Sequence, residues 1–254
     1  MNRAFEGWDN GVPQTEWPRL LAMDVGGATA NVLEWCAQDP VSKSIVFYNE
    51  VHKVTTDMRL LAEMSLPYMK DSKGHDYNWL ARVGDQENKI ALADMGKYGI
   101  EFTNAVKQNK IVSVHRLAGY LHQNPNRHYP NWHPRAGQIG APLMYMTPTC
   151  KHLIEELPMQ KWKNERGGTD VKDKLDRSIR HDAVDCALYI VRILPAPKDV
   201  PIERPKPNKK ELSLQSKLYY EDLKRQKEKQ STNTPRKSYN PSHQGGSWLS
   251  SLLS

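Results

Sequence analysis

WPRLLAMDVGGATANVLEWCAQDPVSKSIVFYNEV, residues 17–51, is the stretch from which the rest of the chain is read. Within it, Leu20-Leu21-Ala22-Met23-Asp24-Val25 is a short apolar run stopped by Gly26-Gly27. Its length and its glycine stop fit a strand buried inside a sheet. Two more strands are expected at Thr29–Trp35 and Ser44–Val51, so the chain opens as an antiparallel meander.

Beyond the meander, strands and helices alternate. Thr55 or Thr56 is expected to N-cap a helix that runs to Leu66, where Pro67 stops it. Trp79–Val83 reads as a strand ending at Gly84-Asp85, and Glu87–Tyr98 as a helix with Gly99 just past its end. A short strand at Ile100–Phe102 and an amphipathic helix at Ile111–His122 follow. Gln123–Gly140, rich in Asn, Pro and His, reads as a long loop. Leu143–Met146 is a strand, Cys150–Leu157 a helix, and Asp173–Leu194 a long final helix closed by Pro195 and Pro197. The resulting layout is a lead-in over 1–16, one α/β domain over 17–194 and a tail over 195–254.

Composition narrows the function classes. The chain has 254 residues, room for one sizeable core with an appendage. No run of about 18 apolar residues occurs, which argues against a helical membrane span. The first residues, MNRAFEGWDNG, have no apolar core and do not read as a secretory signal. Cys36, Cys150 and Cys186 are widely spaced, which fits a reducing compartment better than a disulfide framework. His115, His122, His128, His133 and His152, with Cys150, lack zinc-ligand spacing. The tail carries 12 Lys and Arg against 6 Asp and Glu, which is +6 of the chain's +7. Its five prolines from Pro195 to Pro207 make a stiff linker, and the rest is expected to be largely disordered, ending in an apolar Trp248-Leu249 tag. Such a tail suits a polyanion or an acidic protein surface.

The placing of the acids carries the chemistry. Asp24 and Asp85 each end an expected strand, while Asp182 and Asp185 lie three apart on the last helix and share a face. A strand-end Asp is also a common turn former. The last helix is otherwise apolar, however, and acids in such a helix are costly unless paired or metal-bound. Converging carboxylates suit hard divalent cations such as Mg²⁺ or Mn²⁺, and two ions about 4 Å apart hydrolyse phosphodiesters.

At this point the sequence resembles a known family. WPRLLAMDVGGATANVLEWCAQDP with IVFYNEV, then ARVGDQENKIALADMGKYGIEFTNAVK, then PTCKHLIEELPMQKWKN, then RHDAVDCALYIV resemble, in that order, the nuclease domain of phage terminase large subunits. The resemblance covers residues 17–194. It implies an RNase H-like mixed sheet flanked by helices, with metal-dependent cleavage of double-stranded DNA concatemers during viral genome packaging. By position it makes Asp24 the first metal ligand and Asp85 the second. Asp182 or Asp185 is the third, with Asp185 favoured. Glu50 and His181 are accessory candidates. It further implies two Mg²⁺ or Mn²⁺ ions, a packaging ATPase, small terminase and portal as partners, and action in the host-cell cytoplasm. Candidate DNA contacts are Lys107, Lys110, Arg116, Arg127, Arg135, Lys161, Lys163, Arg166, Arg177 and Arg180, with His128 and His133 beside them. No G-x-x-x-x-G-K-[ST] loop occurs, so translocation is not credited to these residues.

Three other readings compete. DVGGAT at 24–29 resembles the first phosphate loop of sugar-kinase and actin-like ATPases, which need two such domains. A non-catalytic packaging adaptor would work through the tail, docking on portal. A junction resolvase or transposase would share the acids and differ in substrate.

Overall fold

β1 (Arg19–Asp24) grows from the apolar run at the heart of the opening stretch. Its four apolar residues, Leu20 to Met23, are all fully buried, yet they serve two cores. Leu20 and Ala22 face one hydrophobic cluster, Leu21 and Met23 the other. Alternation along a strand sends neighbours to opposite faces, and here both faces are covered, so the run is apolar throughout. The computed structural model describes residues 8, 12–26, 29–105, 110–160 and 181–198.

β1 pairs antiparallel with β2 (Asn31–Gln38), which pairs antiparallel with β3 (Ile45–Lys53). The expected meander is present. α1 (Met58–Ser65) follows, then β4 (Trp79–Gly84), which lies parallel to β1. α2 (Lys89–Lys97) leads to the two-residue strand β5 (Thr103–Asn104), parallel to β4. After α3 (Lys110–Leu121) come β6 (Asn124–His128), β7 (Ile139–Ala141) and β8 (Met144–Met146). α4 (Lys151–Glu156) and α5 (Asp182–Ile193) complete the described elements. The main sheet has the order β5-β4-β1-β2-β3-β8, with β1 in the middle, while β6 and β7 form a separate pair. This is the mixed sheet flanked by helices that the family resemblance implies. α3, α4 and α5 pack on the face of Leu20, while α1 and α2 pack on the face of Leu21.

Several local expectations are corrected. Asp57, not Thr55 or Thr56, caps α1: its carboxylate accepts from Arg59 and Leu60 N–H, and a charged acceptor suits a helix N-terminus. Gly99 does end α2, at φ +85°, with Gly99 N donating to Gly96 O and Ile100 N to Met95 O. Those bonds turn Ile100 into the core, so the strand starts at Thr103 rather than Ile100. The expected loop at 123–140 holds β6 and the start of β7, whose sequences NPNRH and IGA have no apolar alternation to show them. The last helix starts at Asp182, since His181 has φ −152° and stands as its N-cap; residues 173–180 lie outside the described set.

Two features anchor the periphery. In the lead-in, Trp8 is buried, its ring centroid 5.6 Å from that of Trp17 and 5.1 Å from that of Trp132. Arg19 is fully buried with its guanidinium over the rings of Tyr48 (4.8 Å) and Tyr77 (4.5 Å), and it donates to Gln14 O at 2.8 Å. Residues 1–7, 9–11 and the tail from 199 lie outside the described residues. Among the described residues, no helix is long and apolar enough to cross a membrane.

α5 is held at both ends by side chains from other helices. Glu156, at the end of α4, accepts from Ala183 N (2.8 Å) and Val184 N (3.3 Å). Arg116 of α3 donates through Nη1 to the carbonyls of Val191, Arg192 and Leu194 at 2.9–3.2 Å. Both are charge-assisted bonds to groups a helix end leaves orphaned. Glu156→Ala is therefore expected to lower stability in urea unfolding by about 2–3 kcal/mol, and Glu156→Gln, which keeps an acceptor, by less. An unchanged midpoint for Glu156→Ala would remove the cap from the account.

Candidate active site

Asp24 closes β1, and Asp85 follows Gly84 at the end of β4. Because β1 and β4 are parallel neighbours, the two acids emerge at the same edge of the sheet. A backbone bond from Asp85 N to Met23 O, at 3.1 Å, fixes them side by side. Asp85 is buried, and its Oδ1 accepts from Glu87 N at 3.0 Å, opening a short 3₁₀ turn over Gln86–Asn88.

α5 brings the remaining acids. Asp182 and Asp185 sit in its first turn. Tyr189, four residues beyond Asp185, lies on the same face, and its hydroxyl donates to Asp24 Oδ1 at 3.2 Å. Tyr189 is thus a site residue. In the sequence it figures only as the aromatic of RHDAVDCALYIV, and its spacing from Asp182 and Asp185 is the signal that marks it. Lys110, the first residue of α3, places Nζ 2.7 Å from Asp185 Oδ1, and His181 Nε2 lies 3.8 Å from Asp185 Oδ2.

The electrostatics follow from this crowding. Asp24 is pushed up to about 7, first by burial and then by the charges of Asp185, Asp85 and Asp182, with the Tyr189 hydrogen bond opposing. Burial, then the charges of Asp24, Asp185 and Asp85, raise the Tyr189 phenol well above its usual range, which keeps it a neutral donor. The other three aspartates expected at the site thus all act on Asp24. Past the ends of β1 and β4, on the side of α1 and α2, opens a cleft of about 420 Å³, lined by Val25, Gly26, Thr55, Met58, Gln86 and Lys89 but by none of the four aspartates. Its floor is tied by Asn88 Nδ2 donating to Val25 O at 3.1 Å.

The donor set suits a hard divalent cation: carboxylate oxygens only, mutually repelling, one of them holding a proton near neutrality. Among the described residues, no three His, Cys, Asp or Glu side chains close around a common point.

Other candidates have structural occupations. Glu50 accepts from the backbone N–H of His152 (3.1 Å) and Leu153 (2.9 Å) and pairs with the His152 ring, which ties β3 to the start of α4. Arg127 donates to Ala141 O at 3.2 Å across β6–β7. Arg135 donates to the Tyr129 hydroxyl at 2.8 Å and to Gln138 Oε1 at 3.0 Å, with its guanidinium over the Tyr129 ring. His133 stacks on Tyr129, and Arg116 is the α5 anchor described above. Lys107, Lys161, Lys163, Arg166, Arg177 and Arg180 lie outside the described residues.

No protein-family model matches the sequence, and neither does any curated protein. Among solved structures, the chain is similar to the large terminase of the thermophilic bacteriophage D6E. The TM-score is 0.53 at 13% identity, over 75% of this chain and 44% of that one. The fold is that of part of a large terminase. The chain spans less than half the length of the D6E large terminase. Two isolated large terminase nuclease domains are also similar. One is that of bacteriophage SPP1 g2p, with bound Mn (TM-score 0.48, 13% identity, 72% of this chain and 89% of that one). The other is that of P22 (TM-score 0.42, 9% identity, 70% and 81%).

The Asp24 shift sets a direction for pH. From about pH 4, its ordinary value, up to about 7, the folded chain keeps a proton that the unfolded chain releases. Without metal, stability therefore falls as pH rises through that window, by at most about 1.4 kcal/mol per pH unit. Urea unfolding in EDTA at pH 5 and pH 8 is expected to show this fall in the wild type and a flatter response in Asp24→Asn. Asp24→Asn is expected to be the more stable of the two at pH 8. A wild type that is no less stable at pH 8 would refute the crowding.

Proposed function

We propose that the chain is the nuclease part of a phage large terminase, an endonuclease that cleaves double-stranded DNA by metal-dependent hydrolysis during genome packaging. The observation that carries this reading is the convergence of Asp24 and Asp85, from parallel strand ends, with Asp182 and Asp185 from α5. The terminase-like fold supports it.

In this reading Asp24, Asp85 and Asp185 are the principal ligands of Mg²⁺ or Mn²⁺, and Asp182 joins them at the same helix end. Two such ions, when bound, activate a water as nucleophile and stabilise the leaving oxygen of the phosphodiester. The chain's own residues do the rest. Tyr189 fixes the orientation of Asp24, and the Asp85–Met23 backbone bond holds the second ligand in place. His181, at the N-cap of α5, is placed to hold a water or a phosphate oxygen. Lys110 supplies positive charge at the same helix end. A packaging ATPase, small terminase and portal are the proposed partners, with the basic tail as the docking segment for portal and the infected host cytoplasm as the setting.

Plasmid cleavage tests the reading. Supercoiled DNA is expected to be nicked and linearised with Mn²⁺ or Mg²⁺ but not with EDTA. Asp24→Asn, Asp85→Asn and Asp185→Asn should each lower the rate by about 100-fold or more while the fold persists. A folded Asp24→Asn protein that cuts at the wild-type rate would remove that residue from the site.

A further inference from the structure

We infer that Lys110 is a counter-ion built into the acidic site, one that a divalent cation must displace from Asp185 on binding. The inference rests on the metal-dependent reading above and says what regulates occupancy of the same site. Its basis is placement. Lys110 Nζ lies 2.7 Å from Asp185 Oδ1, and neither group is a free surface charge: the side chains are 34% and 18% exposed.

α3 holds its lysine there by its own docking on α5. Six residues further along α3, Arg116 grips three carbonyls at the far end of α5, and Ser113 Oγ between them contacts Arg192. One helix thus applies positive charge at both ends of the other. The lysine end meets the carboxylate that is crowded by Asp24, so its ammonium relieves a repulsion the fold otherwise bears alone.

An ammonium 2.7 Å from a carboxylate oxygen offsets its charge, and an ammonium beside a bound divalent ion repels it. The two cations therefore compete for Asp185. Lys110 stabilises the site when no metal is bound and raises the metal concentration needed to fill it.

Removing the lysine should move two readouts in opposite directions, which a purely structural residue would not do. The full 254-residue chain, stripped of metal with EDTA and dialysed, is titrated with MnCl₂ by calorimetry and melted in EDTA. Lys110→Met is expected to bind Mn²⁺ about tenfold more tightly than wild type while melting at a lower temperature in EDTA. Lys110→Arg should stay near wild type in both. Lys70→Met, which breaks an exposed pair with Asp76, should change neither. If Lys110→Met does not fold, Lys110→Gln takes its place. Mn²⁺ binding by wild type that Asp185→Asn weakens and Lys110→Met leaves unchanged would overturn this inference alone. A wild type that binds no Mn²⁺ would overturn the metal-dependent reading, and this inference with it.

Discussion

Asp24 is crowded by the charges of Asp185, Asp85 and Asp182, and the docking of α5 is what holds two of those three near it. Asp24 and Asp85 sit on the sheet, Asp182 and Asp185 on the helix, so any loosening of α5 would let the charges separate. The molecule resists this at both helix ends. Glu156 takes the amides of Ala183 and Val184, and Arg116 takes the carbonyls of Val191, Arg192 and Leu194. Between them, Ala183, Val184, Ala187 and Ile190 are buried in the core shared with Leu20 and Ala22. The apolar burial and the end caps together outweigh an electrostatic cost that shows in the raised proton affinity of Asp24.

A second acidic group lies beneath the same face of the sheet and plays a different part. Glu34 of β2 is fully buried, and Glu50 stands opposite it in register on β3. Burial, then the charge of Glu50 and that of Glu156, push the Glu34 carboxyl well above its ordinary range. Against burial, hydrogen bonds with Glu34, with the Leu153 amide and with the ring and amide of His152 hold the Glu50 carboxyl below its ordinary range, and Glu156 accepts from the amides of α5. Glu50 and Glu156 thus position helices, whereas Asp24 and Asp85 stand at the strand ends.

Much of the fold was legible along the chain. The continuous apolar run before Asp24 marked a strand covered on both faces, and β1 is the middle of the sheet. Gly99 announced the end of α2 because only a residue free to take φ +85° closes a helix that way. The β6–β7 pair was not legible, since its strands, NPNRH and IGA, carry no alternation and pair through only a few residues. Nor was the start of α5, whose first turn depends on a cap supplied by Glu156, 27 residues earlier.

For the site, sequence alone determined the chemical types and their local settings: an Asp at the end of each of two strands, and two more on one face of an apolar helix. Those follow from periodicity and glycine stops, which are local properties. Only the tertiary structure decided which groups meet. Parallel pairing of β1 with β4 set Asp85 beside Asp24, and the docking of α5 set Tyr189 on Asp24. The packing of α3 set Lys110 on Asp185, and the packing of α4 kept Glu50 for a helix cap. Contacts between residues 75 to 165 positions apart depend on how whole elements pack, and no local pattern records that.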